Sequence, residues 1–71
     1  MFNRALFQYA VDRKNMTMRS VADRLGVNPA TLYRKVHGQS DFTRGEIQLL
    51  REILGLTVRE ADAIFLLSDL R

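Results

Sequence analysis

Residues 18–37 read MRSVADRLGVNPATLYRKVH, a run punctuated for two short helices on either side of a glycine turn. Val21, Ala22 and Leu25 recur at helical spacing and predict a helix over Met18–Leu25 with those residues on its apolar face. Thr17 precedes it as a capping residue, and Gly26 follows where the chain must turn left-handed. Asn28 then caps a second helix, with Pro29 in its first turn, where no amide hydrogen is missed. Val27 and Leu32 stand in hydrophobic-staple positions across that start. The helix is expected to run to Val36 or His37 and to stop at Gly38. Small Ala22 lets the two helices pack closely, and Val21, Leu25, Val27, Leu32 and Val36 fill the space between them.

The same punctuation continues outward. Upstream, a helix is expected over Phe2–Lys14, with Phe2, Leu6, Tyr9 and Ala10 on its inner face and Asn15 as a left-handed stop. Downstream, Thr43-Arg44-Gly45-Glu46 is a capping box flanked by Phe42 and Ile47, opening a helix that closes at Leu54 and Gly55. Thr57-Val58-Arg59-Glu60 repeats the box, with Leu56 and Ala61 as staple partners, and a fifth helix is expected to run to the end. No alternating Val/Ile/Thr run and no Asn-Gly or Asp-Gly hairpin signal is present. The expectation is an all-α fold of five short helices forming one domain over residues 1–71.

Composition narrows the function classes. Apolar residues make up 46% and charged residues 27% of the 71 residues, which is globular rather than disordered. The absence of cysteine excludes a disulfide framework and a thiolate zinc site, and a single histidine cannot form a multi-histidine metal site. No run of about 18 apolar residues suggests a membrane span, and Met1-Phe2-Asn3-Arg4 lacks the features of a signal peptide. A cytoplasmic protein without cofactor is expected. Charge is unevenly placed: residues 1–40 hold seven Lys and Arg against two acids, whereas residues 41–71 hold four against six. A basic half joined to a mildly acidic half suggests one face that meets a polyanion.

The segment RSVADRL-GV-NPATLYRKV resembles the helix-turn-helix of lambda-type phage repressors and Cro proteins, the XRE-like superfamily. One helix before it and two capped helices after it, ending in an Ile-Phe-Leu run, extend the resemblance over nearly the whole chain. One position departs. The superfamily often places an apolar residue three positions after the site matching Leu32, where this chain has Lys35, followed by Val36. Leu32 and Val36 still share a face, but the rotation of the helix, and so its base contacts, is left open.

The resemblance implies a protein that binds double-stranded DNA through this helix, lying in the major groove. With Leu32 and Val36 inward, Ala30, Thr31 and Arg34 point outward. Arg34 can donate two hydrogen bonds to guanine O6 and N7, or else sit in a solvated salt bridge. Thr31 offers a hydroxyl, and Ala30 and the Thr31 methyl suit a thymine methyl. Thr17, Met18 and Arg19 match the segment that touches phosphate in the superfamily. Asn28, Pro29, Lys35 and His37 complete the expected interface, with Gln39 and Arg44 as further backbone contacts. His37 fits a capping or surface role equally well. Tyr33 is open between core packing, a phosphate contact and a base contact.

No nucleophile elbow, phosphate loop or paired acid–base motif is present, so catalysis is not expected. The expected function is sequence-specific transcriptional regulation of Cro or repressor type, by occlusion of a palindromic operator and without a small-molecule effector. The alternatives on the same fold are a protein-binding, antirepressor-like module and a DNA-binding excision or architectural accessory protein. Around the fifth helix, Ala61, Ile64, Phe65 and Ser68 lie on one side, and Ala63, Leu66, Leu67 and Leu70 on the other. A helix apolar on most of its circumference is normally buried all round. Ala63, Leu66, Leu67 and Leu70 are therefore the expected homodimer interface, unless the helix folds back and hides both stripes within one chain.

Overall fold

Five short polar side chains, each accepting a backbone N–H, set the helix starts. In the computed structural model, which describes residues 2–66, Asn3, Thr17, Asn28, Thr43 and Thr57 cap α1 (Arg4–Arg13), α2 (Met18–Leu25), α3 (Pro29–Val36), α4 (Arg44–Leu54) and α5 (Val58–Phe65). Such a cap typically contributes about 1 kcal/mol, a large share of the stability of so small a domain. Thr43 with Glu46 and Thr57 with Glu60 form the reciprocal boxes expected of them. Thr17 forms a third box with Ser20, whose shorter side chain still reaches the Thr17 N–H at 3.0 Å. Asn15, Gly26, Gly38 and Gly55 all take positive φ at the helix ends. Among the described residues there is no strand, and no helix is long and apolar enough to cross a membrane.

The core draws on all five helices. Phe7, Val11, Val21, Leu32, Leu50 and Leu54 are its most fully buried large side chains. All four phenylalanines gather at one end. Phe2 lies 5.3 Å from Phe7, 5.2 Å from Phe42 and 5.5 Å from Phe65 between ring centroids. Beside them the Asn3 N–H donates to the Ile64 carbonyl at 2.7 Å, tying the N-terminal segment to α5.

Two expectations are corrected. The inner face of α1 is Phe7, Ala10 and Val11, while Leu6 and Tyr9 are 40% and 62% exposed. Ala10 belongs to both possible stripes. The misleading residue is Phe2, which precedes the Asn3 cap and so does not continue the helical register. The fifth helix ends at Phe65, and Leu66 follows in the left-handed region at φ 53. A leucine there pays a steric penalty that glycine avoids. Leu66 is half-buried and borders Phe2, Asn3 and Arg4.

Candidate nucleic-acid interface

The Gly26-Val27-Asn28 turn carries the chain from α2 into α3. Gly26 sits at φ 82, and its N–H returns to the Ala22 carbonyl. The Asn28 side-chain oxygen accepts the Ala30 N–H at 2.8 Å, so part of its polar capacity is used within the chain. Leu32 and Val36 are buried. At about 100° per residue, Ala30 and Arg34 then fall on the far side of the helix, and both are exposed. Thr31 is half-buried beside them, and its hydroxyl accepts a hydrogen bond from Arg34 Nη2 at 3.2 Å. Ala30, Thr31 and Arg34 therefore form one outward stripe, as expected.

The two flanks of α3 differ. Tyr33, 59% exposed, stacks on His37 with centroids 3.9 Å apart and planes 26° off parallel. His37 Nδ1 lies 2.9 Å from the Tyr33 carbonyl. Of the roles open to Tyr33, core packing is thereby removed. Pro29, Tyr33 and His37 border a groove of about 600 Å³ that they share with Ala5 and Gln8 of α1. Its floor is Leu32, Val36 and half-buried Met18.

On the opposite flank Lys35 turns inward. Its Nζ donates to the Asp41 carbonyl at 2.8 Å and to Glu46 Oε1 at 3.0 Å, and sits 5.8 Å from the centroid of the Phe42 ring. Only 12% of the Lys35 side chain and 17% of the Glu46 side chain are exposed. The ammonium that the expected phosphate contact would use is thus engaged within the chain. Burial pushes the Glu46 carboxyl up, but hydrogen bonds from the Thr43 N–H and Lys35 outweigh it and hold it below its ordinary value. The one sequence signal for this pair was the departure itself: a lysine where an apolar residue suits, preceding a capping glutamate.

Thr17, Arg19, Gln39 and Arg44 are exposed, and the Thr17 hydroxyl caps α2. Among the described residues, no group of His, Cys, Asp and Glu is gathered to hold a metal ion.

A second, smaller groove of about 240 Å³ runs between α1 and α5, bordered by Leu6, Tyr9, Arg13, Leu56, Arg59 and Ala63. Arg13 Nη1 meets Glu60 Oε2 at 2.7 Å on the same face. Of the expected dimer residues, Ala63 is exposed and Leu66 half-buried, whereas Leu67 and Leu70 lie outside the described residues. Because α5 stops before Leu66, Ala63 and Leu66 do not share a continuous helical stripe. Leu6 and Tyr9, read from sequence as core, stand across the groove from Ala63.

Comparison of the chain with protein-family models, curated proteins and solved structures finds no match.

Proposed function

We propose that the chain is a sequence-specific DNA-binding regulator that lays α3 in the major groove and occludes an operator. The observation that carries this reading is the outward stripe of Ala30, Thr31 and Arg34 on a short capped helix that follows another across a glycine turn. Arg34 supplies the bidentate donor that guanine accepts, and Thr31 and Ala30 supply a hydroxyl and methyl groups. Thr17, Met18 and Arg19 at the start of α2 are the phosphate-facing segment, helped by the surplus of cations in residues 1–40. Two copies joined through the α1/α5 face, with Leu6, Tyr9 and Ala63 at its centre, present two such helices to a palindromic site. The working compartment is then the cytoplasm, on the nucleoid.

Selection from a random duplex pool tests the reading. Enrichment of a palindromic motif supports it; weak, salt-sensitive binding without enrichment overturns it. The groove between α1 and α3 favours one second reading, a module that binds a protein partner, because its floor is apolar beside the recognition surface. Selective capture of a protein, with no preferred DNA, would establish that reading instead.

A further inference from the structure

α3 is held unevenly. Leu32 and Val36, one turn apart, are its only buried residues. So narrow a stripe resists translation of a two-turn helix but allows it to roll about its axis. Lys35 and Tyr33 stand on the two flanks, each about 80° from the stripe. The Tyr33 flank borders the open groove of about 600 Å³. The Lys35 flank is fastened to the Asp41 carbonyl, to Glu46 and over the Phe42 ring. Glu46 Oε1 also accepts the Thr43 N–H at 2.8 Å, so the atom that starts α4 is the atom that holds Lys35.

We propose that Lys35 is a positioning residue for base reading: by tying one flank of α3 to the capping box of α4, it sets the roll of the helix and thereby the base edges that Arg34 and Thr31 meet. This role rests on the DNA-binding reading. A recognition group must be held within about 10–20° of its productive orientation to discriminate. Without the clamp, α3 has space to roll on its groove side. Lys35 acts through α3 and touches no phosphate, so its removal degrades preference among sequences rather than attraction to DNA in general.

The test compares the parent with Lys35→Met and Glu46→Gln. The first keeps the stem and removes the ammonium; the second keeps an oxygen for the Thr43 N–H and removes the charge. Each is passed through selection from a random duplex pool, then titrated with the parent's selected site and a scrambled site over a salt series. The preference for the selected site is expected to fall about tenfold in each, the size of one good base contact. Scrambled-site affinity and salt slope should match the parent, and the double variant should lose no more than either single one. Lys35→Arg, which keeps the charge, should keep most of the preference. It carries the comparison together with Glu46→Gln if circular dichroism shows the methionine variant unfolded. Variants that rank sites as the parent does overturn the role of Lys35 and leave DNA binding standing. An equal loss for all sequences with a flatter salt slope makes Lys35 a phosphate contact, which also overturns it. A parent that enriches no sequence overturns the DNA reading itself, and the role of Lys35 with it.

Discussion

Arg34 stands opposite the buried stripe of α3, and its hydrogen bond to Thr31 aligns the guanidinium along the helix. Replacing Arg34 with alanine is expected to weaken binding at the selected site by about 1–3 kcal/mol, concentrated at one base pair. Titration against single-substitution operators reads this directly. A loss spread equally over all sites would make Arg34 a backbone contact, and no loss would place it outside the interface. The outward direction of Ala30, Thr31 and Arg34 was legible in the sequence because it follows from Leu32 and Val36 at helical spacing. The inward turn of Lys35 was not. Its partners Asp41 and Glu46 are reached across the connection between α3 and α4, and no periodicity within one helix encodes a contact made that way.

The starts of α2 to α5 and the stops of α2 to α4 were legible for the opposite reason. A cap is a bond between a side chain and a backbone group two or three residues away, so local sequence contains both partners. The inner face of α1 was less legible, because two apolar stripes cross at Ala10 and only the surrounding helices choose between them. The Arg13–Glu60 pair between α1 and the start of α5 carries a pH signature. Hydrogen bonds from Arg13 and from the Thr57 N–H lower the Glu60 carboxyl from 4.5 to about 2. A carboxyl that ionises more readily when folded stabilises the fold fully above its unfolded value, and this contribution fades as pH drops through the folded one. Glu60→Gln keeps an oxygen for the Thr57 N–H but loses the charge facing Arg13. The melting temperature of the variant should lie below the parent's at neutral pH, and the gap should close as pH falls from about 4.5 towards 2. Thermal melts in a pH series check this; a constant gap would assign the difference to packing instead.

Across the whole molecule, the α1/α5 face exposes Leu6 and Tyr9 beside Ala63, and the proposed regulator uses it to join two copies. Ala63 is exposed, so Ala63→Lys should fold as the parent does while placing a charge in the joint. Sedimentation equilibrium is expected to give a dimer for the parent and a single chain for the variant, with operator affinity falling alongside. A parent that stays a single chain at the highest concentration would remove the dimer. The phenylalanine cluster bears on time rather than on strength. Contacts between Phe2 and Phe65 close a loop spanning nearly the entire described chain, and loop-closure entropy delays such contacts until local structure has formed. Capped helices, whose bonds are local, are expected to form first, and the aromatic closure to follow the rate-limiting barrier. Phe2→Leu should therefore quicken unfolding and leave the refolding limb of a chevron nearly unchanged. The N-terminal segment then governs how long each folded copy lasts, but not how quickly a new copy folds.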